Sequence, residues 1–136
     1  MKKNKLKPNS GRYEKILGGE IMILGTGIDI IEIDRIQKAV ERWGDVFLKY
    51  VLTPGEIEYA QKYKFPFRHY AGRFAAKEAI FKATGIPHLS WHDVTIVNDP
   101  SGKPVCHFNN IEFKHRLTIS ISHSRDYAVA SAIVEG

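Results

Sequence analysis

Arg73, Lys77, Glu78 and Lys82 lie within the stretch RFAAKEAIFKATG, which sets three cations around one carboxylate. On a helix, residues three or four apart are neighbours, so Arg73 and Lys77 form one stripe, and Phe74, Glu78 and Lys82 form the next. The plain reading is a solvated face, with Glu78 and Lys82 as an i,i+4 pair contributing about 0.2–0.5 kcal/mol. The other reading follows from Phe74 and the alanines beside Glu78. A carboxylate at the edge of an apolar core requires a cation or a metal as partner.

Asp29 is a second candidate, placed after the glycines of GTG and before Ile30 and Ile31. Locally it reads as a turn or capping aspartate. The glycines would also let a bulky ligand approach the backbone. Two carboxylates completed by phosphate oxygens and water suit magnesium, a hard cation that rarely receives a full protein cage. A third cluster stands in ISISHSRDYAVA, where His123 follows an alternating apolar run and Ser122, Ser124 and Arg125 surround it. A lone histidine at a strand end is ordinarily a surface residue, whereas this group could bind an anion. No GxSxG elbow precedes it, which argues against a serine hydrolase. The chain also lacks a GxxxxGKS/T phosphate loop and an HExxH zinc helix, and GTGID lacks the third glycine of a dinucleotide fingerprint.

These residues need elements to hold them. Ile21 to Ile28 reads as a glycine-broken strand, followed by an amphipathic helix carrying Ile33, Ile36, Val40 and Trp43 on its apolar side. LTPGEIEYA starts another helix, with Thr53 as N-cap, Pro54 in the first turn and Glu56 closing a capping box; it should run to about Tyr63. Pro66 opens the longest helix and Gly85 stops it in the left-handed conformation. WHDVTIVN, KPVCHF, RLTISISH and DYAVASAIVE are β-prone runs. Asp99 to Gly102 turns between the first two, and Ser124-Arg125 between the last two. Helices toward the front and strands toward the back predict an α+β fold, a mostly antiparallel sheet packed with one long and several shorter helices.

The 136 residues, 43% hydrophobic and 26% charged, fit one domain with a sizeable core. Residues 1–21 read as a basic tail, disordered or vector-derived, and residues 22–136 as the domain; Met22 is a candidate natural start. Six cations against two carboxylates in residues 1–20 account for four of the five net positive charges, so the remaining body is nearly neutral. That distribution weakens a nucleic-acid-binding reading, whose sequence motifs are also absent. No apolar run approaches the ~18 residues of a membrane span, and the N-terminus lacks a secretory core, so a soluble, cytoplasmic protein is expected. The single cysteine, Cys106, rules out an internal disulfide and a cysteine-rich zinc site, and is expected to be an inert thiol.

GTGIDIIEIDRI, RFAAKEAIFKATG and SISHSRDYAVA, in that order with LTPGE and SW-D between them, resemble the holo-acyl-carrier-protein synthase family of 4′-phosphopantetheinyl transferases. The likeness spans essentially residues 22–135. It implies a small α+β enzyme, usually a homotrimer with active sites between subunits, that moves phosphopantetheine from coenzyme A to a serine of acyl carrier protein. The by-product is adenosine 3′,5′-bisphosphate, and the reaction supports fatty acid biosynthesis. Asp29 and Glu78 match the family's magnesium ligands and, with Lys82, its catalytic positions. Arg73, Lys77, Lys82, Gly85 and His123 fall where coenzyme A is bound, and Arg35 matches an arginine facing the carrier protein. The serine's proton acceptor is left open, with Glu78 and a metal-bound water as candidates. The chain departs from the pattern after Gly85, where IPHLSW replaces a longer glycine-rich loop. A non-catalytic relative that binds carrier or coenzyme A without turnover is the second alternative.

Overall fold

In the computed structural model, which describes residues 22–136, a single long helix lies across a small antiparallel sheet. The expectation for residues 1–21 falls outside the described residues. The order is β1 (Ile23–Glu32), α1 (Ile33–Trp43), α2 (Asp45–Val51), α3 (Pro54–Gln61), α4 (Phe67–Thr84), a 3-10 turn (Trp91–Asp93), β2 (Val94–Asn98), β3 (Pro104–Phe108), β4 (Arg116–His123) and β5 (Tyr127–Glu135). The α+β expectation holds. The strands form two sheets rather than one: β1-β5-β4, with the nearly continuous apolar β5 in the centre, and the hairpin β2-β3.

Helix α4 is the spine. Ala71, Ala75, Ala76, Ala79, Ile80 and Ala83 are buried along it, and Ala128, Ala130, Ala132 and Val134 of β5 meet it from the sheet. Alanine on both surfaces lets backbones approach closely, and β1 approaches closest. A Cβ on Gly25 or Gly27 would stand 2.0 Å from the carbonyl oxygen of Ala83 or Ala79 respectively. The expectation that these glycines admit a ligand is thereby corrected: the space they leave is filled by α4. The strand also runs further than expected, through Asp29 to Glu32, so Asp29 sits mid-strand opposite Ala130 rather than at a strand end.

Pro66 proves to be the N-cap of α4 rather than its first residue, and α3 ends at Gln61, short of Tyr63. Gly85 ends α4 at φ 61 and ψ 16, the left-handed stop its position predicts. Helix α2 was not anticipated, because seven residues are too few to display a period. It follows Gly44, whose φ of 60 turns the chain, and buries Leu48 and Val51. Trp43, expected on the apolar side of α1, is exposed and lies under the Arg42 guanidinium, 4.9 Å from its ring centroid.

Candidate active site

Strand alternation and the helical repeat bring Asp29 and Glu78 to one cleft. The odd-numbered residues Gly25 to Ile31 face α4, and Glu78 lies on the side of α4 turned toward that strand. Lys82, one turn further along, donates to the carbonyl oxygen of Ile28 at 2.8 Å and lies 3.4 Å from Asp29 Oδ1. The Asp29 side chain is 16% exposed and that of Lys82 54%. Burial first, and then the Asp29 charge, pushes the Glu78 carboxyl above the usual range, while Lys82 opposes the shift. Two half-buried carboxylates thus repel each other, with one partly solvated ammonium beside Asp29. This all-oxygen pair fits a hard divalent cation that draws its remaining ligands from phosphate and water. Among the described residues no cluster of three or more His, Cys, Asp or Glu could hold a metal ion.

A second cluster lies on another side of α4. Arg73, 5% exposed, stacks its guanidinium 4.1 Å from the Tyr59 ring centroid and donates from Nη2 to Asn98 Oδ1, leaving its Nε without a partner. Arg73, Arg68, His69, Asn98 and His123 line a cavity of about 150 Å³. His69 stacks on Tyr63 at 3.8 Å and meets His123 edge-on at 5.8 Å. Burial, followed by Arg73, His123 and Arg68, pushes the His69 imidazole down to about 4. A partly desolvated cavity lined by two arginines and two histidines suits an anion. Sequence reading identified Arg73 and His123 here but missed Arg68 and His69, because FRHY carries no motif of its own.

The two clusters do not meet within one chain. Arg73 and Lys82 are nine residues apart, about 14 Å along the helix axis and roughly on opposite sides of it. Lys77 joins neither cluster, which corrects its expected role on coenzyme A. Its side chain is 0% exposed, paired at 2.7 Å with the equally buried Glu56, and its ammonium also donates to the carbonyl oxygens of Val51 at 3.0 Å and Trp91 at 2.8 Å. With three acceptors inside the core, no donor is left for a phosphate. Glu56 was legible only as a capping residue; it does accept from Thr53 N–H at 2.8 Å, but also from Ile96 N–H at 2.6 Å.

Gly85 lies on the surface at the end of α4, and Arg35 is exposed on α1. Burial, followed by the Glu56 charge, pushes the Cys106 thiol up to about 12. Among the described residues no helix is long and apolar enough to cross a membrane.

Residues 25–132 match the family model of the 4′-phosphopantetheinyl transferase superfamily. The chain is 42% identical over 124 residues to the holo-acyl-carrier-protein synthase of Koribacter versatilis, covering 84% of this chain and 99% of that protein. Among solved structures, the holo-acyl-carrier-protein synthase of Bacillus anthracis, in complex with CoA (3′,5′-ADP), superposes with a TM-score of 0.75 at 40% identity, covering 85% of this chain and 98% of that one. The Helicobacter pylori synthase in complex with coenzyme A gives 0.70 at 34% identity, with coverage of 80% and 98%.

Proposed function

Because the chain belongs to the 4′-phosphopantetheinyl transferase superfamily, we propose that it transfers 4′-phosphopantetheine from coenzyme A to a serine of apo-acyl carrier protein, releasing adenosine 3′,5′-bisphosphate. The observation that carries this reading is the convergence of Asp29, Glu78 and Lys82 in one cleft between β1 and α4. The serine hydroxyl attacks the β-phosphorus of coenzyme A, a phosphorus–oxygen bond forms, and the bond to the bridging oxygen breaks. Negative charge spreads over nonbridging and leaving oxygens, so the expected catalysts are fixed cations.

Asp29 and Glu78 are the residues that would hold Mg2+, which when bound would neutralise pyrophosphate charge. Lys82 is placed to stabilise the leaving bisphosphate, its ammonium already held at the cleft by the Ile28 carbonyl. The serine proton must leave as the phosphorus–oxygen bond forms, and Glu78 or solvent beside it would accept it. Arg73 and His123, which line one cavity, would take a phosphate of coenzyme A remote from the reacting one. Gly85 would let the chain turn beside the substrate. Arg35 on α1 would face an acidic carrier surface, where charge complementarity raises the encounter rate.

We also propose a homotrimer with sites between subunits. The outward face of the three-stranded sheet supports it: Leu24, Ile28, Ile30, Tyr127 and Ile133 are exposed there, Ile28 at 66% and Ile30 at 63%. Exposed apolar side chains gathered on one sheet face mark an interaction surface. Assembly would let the cationic cavity of one subunit meet the carboxylate cleft of another, which the geometry of α4 forbids within one chain. A cytoplasmic location is part of the same proposal, since the reaction needs coenzyme A and carrier protein in one compartment.

Incubating the protein with apo-acyl carrier protein, coenzyme A and Mg2+, followed by intact mass spectrometry, tests the reading. A carrier heavier by one phosphopantetheine is expected. No mass shift with several carriers would overturn the assignment.

A further inference from the structure

Lys77 is the largest fully buried side chain in the described residues, yet the transfer reaction makes no use of it. Its ammonium gathers four separate pieces of chain: α4, which carries it; the end of α2 through the Val51 carbonyl; α3 through Glu56; and the turn at Trp91 through that residue's carbonyl. Glu56 adds β2 through Ile96 N–H. A simple core needs no such arrangement, since an apolar residue of similar volume fills the space without a desolvation penalty.

What the network holds is informative. Trp91 ends the segment that leaves α4 at Gly85, one turn beyond Lys82. Its indole returns to α4, stacked on Phe74 at 4.9 Å and 24°, and edge-on to Phe81 at 5.0 Å. Phe74 and Phe81 are the residues four before and three after Glu78, so they bracket it on one face of the helix. The backbone of Trp91 is tied down by Lys77, and its ring covers the aromatic stripe on which Glu78 stands. Adjacent residues of the KE pair thus point to different places: Glu78 into the cleft, Lys77 into the core behind it.

We propose that Lys77 is a positioning residue, which pins the Trp91 turn so that the indole forms a fixed wall beside Glu78 and the 86–90 segment keeps a fixed course past Lys82. The inference rests on the transferase reading. It requires that loss of the pin loosen the coenzyme A side of the site while leaving α1, and hence carrier docking, in place.

The test uses the full-length protein in a Trp43→Phe background, so that Trp91 is the sole tryptophan. Three variants are compared: Lys77→Met, the charge-neutral Lys77→Met/Glu56→Gln, and Trp91→Leu, which keeps the backbone carbonyl and removes the wall. The expected result is a KM for coenzyme A raised about tenfold or more, with the carrier protein's KM within about twofold of the parent. In the two Lys77 variants Trp91 emission should shift to the red and quench more readily with acrylamide. A purely structural role would lower the active fraction and the melting temperature but leave the KM of the surviving enzyme unchanged. Folded variants with the parent's KM for coenzyme A and the parent's emission would overturn the proposal. If both Lys77 variants fail to fold, Trp91→Leu decides it through the same KM. Absence of turnover by the parent would overturn the transferase reading and this inference together, whereas parental turnover with unmoved variants overturns only this inference.

Discussion

Gly27 packs against the Ala79 carbonyl so closely that a Cβ there would stand 2.0 Å from the oxygen. That contact sets the distance between β1 and α4, and therefore between Asp29, two residues along the strand, and Glu78, one residue before Ala79. Gly27→Ala must push strand and helix apart, since the obstacle is backbone and cannot rotate away. Overpacking of this kind should cost about 3 kcal/mol or more. Chemical denaturation would measure it; a loss under about 1 kcal/mol would mean that the strand adjusts without strain.

The carboxylate pair predicts a separable effect on chemistry. Asp29→Asn and Glu78→Gln keep the shape of each side chain and remove the charge, so the fold should persist by circular dichroism. Turnover should fall by about 100-fold or more, the scale on which lost transition-state electrostatics acts. Parental rates at limiting Mg2+ in either variant would remove that carboxylate from the site.

Arg35 is exposed on α1. Arg35→Glu should raise the KM for carrier protein by about tenfold, through lost attraction and new repulsion toward an acidic partner. The KM for coenzyme A should not move. Steady-state kinetics with each substrate varied in turn would decide; equal effects on both would place Arg35 outside the docking surface.

His69 predicts a pH dependence of stability. Its folded value, about 4, lies below its ordinary value of 6.5. Between those two pH values the unfolded chain binds a proton that the folded protein does not, so unfolding free energy falls as pH drops through that window. The contribution is fully present above 6.5 and gone below about 4. His69→Phe keeps an aromatic ring against Tyr63 and should flatten that part of the profile, measured by urea melts at several pH values. An unchanged slope would show that the imidazole is not held neutral.

Much of the site was legible because its signals are local. Glu78 and Lys82 share a stripe through helical spacing, and Gly85 stops α4 because glycine takes the left-handed conformation that ends a helix. The strand limits were harder, since Asp29 looks like a turn residue until β5 is seen to pair beyond it as far as Glu32. Arg68 and His69 gain meaning only from the proximity of His123, more than fifty residues later in the chain.

The sequence by itself determined the α+β class, the long helix with its stop, the hairpin turns and the likeness that named Asp29 and Glu78. These follow from periodicity, turn chemistry and motif order, which are properties of short windows. Tertiary structure alone decided that Lys77 faces Glu56 inside the core while its neighbour Glu78 faces the cleft. It also decided that Gly25 and Gly27 make room for a helix rather than a ligand. The reason is that burial depends on what packs against each helix face. Spacing fixes which residues share a face, but only the partners brought from β1, α3 and the Trp91 turn settle whether that face meets water, substrate or core.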